Sequence, residues 1–150
     1  MLLLGMGDFG RIARVYMAIS LKTLLFIGCG CFIGGVLRYV TGVLISSRIE
    51  VAPPHLPWHT LAINFGGCLL MGVFCGLFHE GLVKSPSLRA GLTAGLCGGY
   101  STLAAFAWEN AELMRAGAYL MTGIYMGATM FGGVLCFMLG YAVSRSLVCR

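Results

Sequence analysis

Four stretches of this chain run for the width of a bilayer almost without charge, and that feature decides what it can fold into. They are Leu24 to Ser47, interrupted only by Arg38, then Trp58 to Phe78, Leu88 to about Trp108, and Ala118 to Val143. About 20 consecutive apolar residues are enough to cross a membrane as a helix. The composition agrees, with 59% of the 150 residues hydrophobic and only 10% charged, where soluble domains carry about 25% charged residues. A chain this short cannot hide so much apolar surface within itself. The expectation is an all-α membrane protein of four transmembrane helices occupying residues 24–143, between an N-terminal extension, 1–23, and a C-terminal tail, 144–150. Arg48 to Pro57, holding Pro53, Pro54 and Pro57, reads as a loop, as does His79 to Pro86. Glu109, Glu112 and Arg115 close the third run. Met1 to Ser20 lacks the order of a signal peptide, in which basic residues precede the apolar core, and reads as an interfacial extension.

The net charge of +5 does not form a surface for nucleic acid. All basic residues but Arg38 flank apolar runs, which is how positive charge sets membrane topology. An even number of spans places both termini on one side, together with Arg11, Arg14, Lys22, Lys84, Arg89, Arg145 and Arg150; the other side has Arg48 and Arg115. The excess predicts cytoplasmic termini in a multi-pass cell-membrane protein. Without the first twenty residues the contrast shrinks, and a bias that modest need not fix one orientation in every copy. The seven cysteines form no Cys-x-x-Cys pair and no histidine stands at zinc-ligand spacing, so they read as small packing residues.

Each expected span carries a Gly-x-x-x-Gly pair: Gly30 and Gly34, Gly72 and Gly76, Gly91 and Gly95, Gly123 and Gly127. Such pairs let helix backbones approach closely in lipid. Four short helices enclose little volume, so a pathway calls for a second copy. The third run is unusual. In Gly95-Leu96-Cys97-Gly98-Gly99-Tyr100-Ser101-Thr102, paired glycines are followed by Ser and Thr at mid-membrane. One reading is a broken helix, freeing carbonyls that can bind a cation and opening a helix start that favours an anion. The other is a continuous packing helix with its hydroxyls bonded back to their own carbonyls.

Further polar groups sit inside the runs. Arg38 either faces a water-filled vestibule or snorkels to the interface. Asn64 must satisfy its amide on a neighbouring helix or on something transported. Tyr125 and Thr129, four apart, share a helix face and form either a polar track or two local hydrogen bonds. No Asp or Glu lies in the interior of a run. A proton-coupled exporter of cations needs such a carboxylate; its absence argues against that class and leaves anions as the natural cargo.

At these residues the chain resembles the Fluc/CrcB family of fluoride channels. Gly34-Gly35-Val36-Leu37-Arg38-Tyr39 is similar to the family's glycine-rich stretch ending in Arg-Tyr, and Thr60-Leu61-Ala62-Ile63-Asn64-Phe65-Gly66-Gly67 to its Thr-Leu-x-Val-Asn-x-x-Gly. The third run matches Gly-x-Cys-Gly-Gly-Phe-Thr-Thr-Phe-Ser-Thr-Phe-Ser-x-Glu through Gly95, Cys97, Gly98, Gly99, Thr102, Phe106 and Glu109. The resemblance implies an antiparallel, dual-topology dimer with two fluoride pores at its interface. It also implies a structural sodium ion, Na+, at the dimer centre, held by backbone carbonyls that on this chain belong to Gly98 and Ser101. Fluoride is small and tightly hydrated, so a pore must replace its water with donors and positive edges. Asn64, Ser101, Thr102, Tyr125 and Thr129 are the implied donors, the ring edge of Phe106 an aromatic contact, and Arg38 the vestibule charge.

The departures from the family pattern are specific. Leu103 stands where the family has its first pore Phe, and Ala104, Ala105 and Ala107 replace Ser or Thr. The resemblance therefore leaves two forms open: a homodimer passing fluoride passively out of the cytoplasm, or a heterodimer in which an opposite-orientation homologue supplies the missing groups. A small dual-topology drug exporter is the remaining alternative. No catalysed reaction is expected.

Overall fold

The computed structural model describes residues 20–48 and 55–148. Most of the expected N-terminal extension, with Arg11 and Arg14, and Pro53, Pro54, Cys149 and Arg150 lie outside the described residues. The described chain is all helical, without strands. Helix α1 spans Leu21–Ser46, α2 Trp58–His79 and α3 Pro86–Ala90. A π-helical stretch, Gly91–Cys97, follows without a turn and runs on into α4, Gly98–Tyr100. After an interruption come α5, Leu103–Arg115, and α6, Tyr119–Val148.

The helix ends follow their local sequence. Ser20 caps α1 by accepting the Thr23 N–H at 3.1 Å, and Ser85 caps α3 ahead of Pro86, whose missing N–H is harmless in a first turn. At the end of α5 the Gly117 N–H reaches the Met114 carbonyl at 3.0 Å and the Ala118 N–H reaches that of Leu113 at 2.9 Å. This closure needs a left-handed residue, and Gly117 has φ 72°.

Among the described residues, α1, α2 and α6 are each long and apolar enough to cross a membrane. Two boundaries differ from the sequence expectation. Helix α1 begins at Leu21 because Ser20 offers a cap, and α6 runs to Val148, so the expected tail from residue 144 is largely helical. The third apolar run is two helical pieces. They extend from Pro86 to Arg115, beyond both expected ends, and are separated at Ser101 and Thr102, whose ψ angles of 159° and 114° are extended.

Glycine governs the packing. Helix α2 lies along α6, and α1 lies along the π-helical stretch. A Cβ on Gly34 would collide with the Leu96 carbonyl oxygen and stand 2.8 Å from the Tyr100 amide nitrogen; one on Gly95 would stand 2.8 Å from the Ile27 carbonyl oxygen. On the other side, a Cβ on Gly72 would strike the Phe137 carbonyl and one on Gly140 that of Leu69. Three of the four expected glycine pairs thus contact another helix. Gly123 and Gly127 do not: none of the described residues lies within 4 Å of a Cβ at either.

The core is small. The buried apolar side chains are Leu61, Ile63, Cys97, Leu113 and Tyr125, while Phe32, Leu103, Trp108 and Phe131 point outward. That distribution requires a non-aqueous surrounding, lipid or another chain.

Candidate functional site

The interruption between α4 and α5 is the centre of the site. Two successive extended residues cannot continue a helical hydrogen-bond ladder, and the amides beyond them find other partners. The Thr102 N–H, which in an unbroken helix serves the carbonyl of Gly98, donates instead to Asn64 Oδ1 at 2.8 Å. The Ala105 N–H, which would serve the carbonyl of Ser101, donates to Thr102 Oγ1 at 3.2 Å. The break thus leaves the carbonyls of Gly98, Gly99, Tyr100 and Ser101 without the helical donors that an unbroken ladder would supply. Asn64 completes its grip by donating from Nδ2 to the Thr102 carbonyl at 3.3 Å.

The sequence around Asn64 permits this approach. A Cβ on Gly67 would stand 2.9 Å from Ser101 Cβ, and one on Gly66 3.2 Å from the Tyr100 ring, so the two glycines seat α2 against the break. Ser101 bonds back to its own helix, donating Oγ to the Cys97 carbonyl at 2.9 Å. Its side chain follows the local reading while its backbone follows the broken one. The Tyr100 hydroxyl reaches Thr41 Oγ1 on α1 at 3.4 Å. Gly98 is exposed and Ser101 and Thr102 are half-buried, so the break lies at the surface of the single chain.

A second cluster sits one turn beyond Thr102. Tyr125 on α6 is fully buried, and the Phe106 ring packs on it at a centroid distance of 5.0 Å and a tilt of 52°. The Tyr125 hydroxyl donates to Glu109 Oε2 at 2.6 Å, and the Thr60 hydroxyl donates to Glu109 Oε1 at 2.5 Å. His59 Nε2 lies 3.3 Å from the same Oε1. Thr129 donates to the Tyr125 carbonyl at 2.8 Å. Of the two alternatives for Tyr125 and Thr129, then, the hydroxyls diverge: one holds Glu109 and the other closes locally.

Glu109 as the meeting point of α2, α5 and α6 escaped the sequence reading, which placed it at the end of a run and in the family motif without a role. The spacing held the signal: Phe106, Glu109, Asn110 and Leu113 fall three or four residues apart, on one face of a helix. That face is the inward one, with Asn110 and Leu113 buried. Leu103, in the first turn of the same helix, is 77% exposed.

Arg38 lines an open cleft of about 710 Å³ with His59, Thr60, Thr102 and Ala105. It makes no hydrogen bond or ion pair with the described residues, and so places a positive charge next to the start of α5. That helix start, capped by Thr102, presents the positive end of a helix dipole to the same cleft. The arrangement offers a small anion an attractive field and a small cation freed carbonyls. No group of three or more His, Cys, Asp or Glu side chains able to hold a metal occurs among the described residues.

Comparison with known proteins gives the same family as the motifs. The family model described as "CrcB-like protein, Camphor Resistance (CrcB)" matches residues 25–141. A relative from Flavobacterium psychrophilum, named fluoride-specific ion channel FluC, is 34% identical over 127 residues, 85% of this chain and 100% of its own length. The protein of that name from Phocaeicola vulgatus is 36% identical over 125 residues, 83% of this chain and 100% of its own. Fluoride-specific ion channel FluC 1 of Moorella thermoacetica is 34% identical over 121 residues, covering 81% and 84%.

Proposed function

The chain belongs to the CrcB-like family, and from that membership we propose that it is a subunit of a fluoride channel, passing fluoride out of the cytoplasm down its electrochemical gradient and catalysing no reaction. The observation that carries this reading is the break at Ser101 and Thr102, matched to relatives named for fluoride conduction over nearly their whole length. Fluoride binds its water tightly, so a pathway must return strong donors and positive potential. Arg38, the start of α5 and the remaining N–H of the Asn64 amide are placed to do so; the Phe106 edge adds a positive rim. Thr102 and Tyr125 frame the route, their hydroxyls engaged at Ala105 and Glu109 as described above, with Thr129 and Leu103 alongside.

The assembly we propose is an antiparallel dimer in the cell membrane, with the third apolar run crossing as a broken fourth span. Three features support a second copy: the break is at the surface, Gly123 and Gly127 have no neighbour among the described residues, and large apolar side chains face outward. At the centre of such a dimer the family resemblance assigns a hard monovalent cation to the carbonyls of Gly98 and Ser101, two of the four oxygens that the break leaves without a helical donor. A sodium ion there would supply a fixed positive charge that lowers the penalty of bringing an anion into low dielectric. The chain's own contribution is to hold those oxygens open, through Asn64 and the Thr102 cap.

A heterodimer is the second reading, favoured by one observation. Leu103, Ala104 and Ala107 are exposed on α5 and carry no donor, so this wall of the pathway lacks polar groups that an unlike partner would contribute. Liposomes holding the purified chain separate the forms. We expect fluoride efflux without chloride efflux from the chain alone. Activity appearing only on co-expression with a homologue would replace the homodimer with the heterodimer, and equal leak of both ions would reject selective conduction.

A further inference from the structure

Resting on the channel reading, we propose that His59 is a proton-operated charge switch at the mouth of the pathway, raising fluoride conduction as the pH falls by neutralising Glu109. The juxtaposition is local and specific. His59 Nε2 lies 3.3 Å from Glu109 Oε1, and the imidazole is 40% exposed where the carboxylate is 16% exposed. Water thus reaches the group that titrates, while the carboxylate it faces stays largely enclosed and anchored by two hydroxyls. Glu109 accepts hydrogen bonds from Thr60 and Tyr125 through different oxygens.

The position of His59 gives that charge a consequence. His59 lines the Arg38 cleft and also a second cleft of about 490 Å³, which it shares with His55, Trp108, Glu109 and Glu112. It therefore stands in the wall between a basic recess and an acidic one. With a neutral imidazole, the pair carries one negative charge beside the route of an anion. With a protonated imidazole, the pair carries none, and Arg38 acts unopposed. Protonation keeps the contact and reverses its electrostatic effect.

Charged and titratable groups come from each neighbouring element. From α1, Arg38 and Tyr39 line the same recess. From α5, Glu109 is in contact and Glu112 lies across the second cleft, which His55, ahead of α2, shares. From α6, Tyr125 is linked to His59 through its bond to Glu109. Of the charged groups, the Glu109 carboxylate is the one in direct contact. Histidine is the side chain that changes charge in the physiological range.

The test is fluoride efflux from neutral-lipid vesicles holding the full chain, at equal internal and external pH, from about pH 8 to about pH 6. Protein-free vesicles report leak of undissociated acid, which is subtracted. We expect wild-type flux to rise about fivefold on acidification, a modest case of charge-steered encounter. His59→Gln should stay at the alkaline rate throughout, and His59→Arg at the acid rate. Wild-type flux that is present but unchanged with pH would overturn the switch and leave the channel intact. The same rise surviving in His59→Gln would assign it to another group and overturn the proposal. Flux no greater than protein-free vesicles at every pH would remove the channel reading itself, and the switch with it.

Discussion

The carboxamide of Asn64 and the backbone of Thr102 form a two-way pair: Oδ1 accepts the Thr102 N–H at 2.8 Å and Nδ2 donates to the Thr102 carbonyl at 3.3 Å. An asparagine side chain here does what a neighbouring strand does for extended backbone. The break in the third run is thus held from outside, by α2.

Asn64→Ala removes both partners at once. Two main-chain groups of Thr102 then lose hydrogen bonds in a half-buried site, a loss of about 1–3 kcal/mol. The expected outcome is a lower unfolding temperature in detergent together with slower fluoride efflux. Asn64→Asp keeps the acceptor and loses the donor, so it should retain part of the stability while adding a negative charge that slows the anion further. An alanine variant with wild-type stability and flux would remove Asn64 from both roles.

Phe106 and Tyr125 separate geometry from hydrogen bonding. Phe106→Ile keeps apolar volume but removes the ring that packs on Tyr125 at 5.0 Å. Tyr125→Phe keeps the ring pair and deletes the bond to Glu109. The first should slow fluoride efflux with little loss of stability. The second should lower stability by about 1–2 kcal/mol, because an enclosed carboxylate oxygen loses a donor. Parallel thermal melts and efflux rates on the two variants make the comparison, and an unchanged rate in Phe106→Ile would exclude its ring from the pathway.

Much of this was legible in the sequence, and what was hidden has a physical cause. Long apolar runs announce helices because lipid admits few other structures. The paired glycines before Ser101 and Thr102 left a broken and a continuous helix both open, and in the fold Gly98 and Gly99 stay helical while the ladder gives way at Ser101 and Thr102. The partner of Asn64 could not be read, because a polar side chain in a span satisfies itself on whatever backbone the fold brings near. Glu109 was hidden for the complementary reason: its charge resembles a helix end, and only packing reveals that its carboxylate turns inward to Thr60 and Tyr125. The glycine pairs looked alike in sequence and are not alike in the fold. Gly34 meets a neighbour; Gly123 meets none.

That difference can be measured. In Gly34→Ala the new methyl would overlap the Leu96 carbonyl, backbone that cannot move aside cheaply. Overpacking of this kind lowers stability by about 1–3 kcal/mol. Gly123→Ala meets none of the described residues within 4 Å and should leave the fold of one chain unchanged. If a second copy packs against that face, however, Gly123→Ala should lower the dimer fraction on dilution in detergent, as seen by crosslinking. A variant that melts and dimerises like wild type would exclude Gly123 from the interface.

The loop after α2 supplies a pH dependence of stability distinct from the His59 switch. Glu80 lies beside Arg145, with Nε 3.0 Å from its Oε1, and His79 Nδ1 is 3.4 Å from the same oxygen. The hydrogen bond from Arg145, with help from His79, holds the Glu80 carboxyl below its ordinary value of 4.5. A carboxyl whose value is lowered by folding stabilises the fold above its unfolded value, and that contribution fades as the pH falls through the folded value. Glu80→Gln should therefore melt below wild type by a constant small margin from neutral pH down to about pH 5. Below the ordinary carboxylate range the two curves should converge, because protonation then removes from wild type what the substitution removed already. The pair is exposed, so screening reduces the margin, and added salt should narrow it at neutral pH. A margin that persists unchanged in strong acid would mean that Glu80 contributes through packing rather than through its charge.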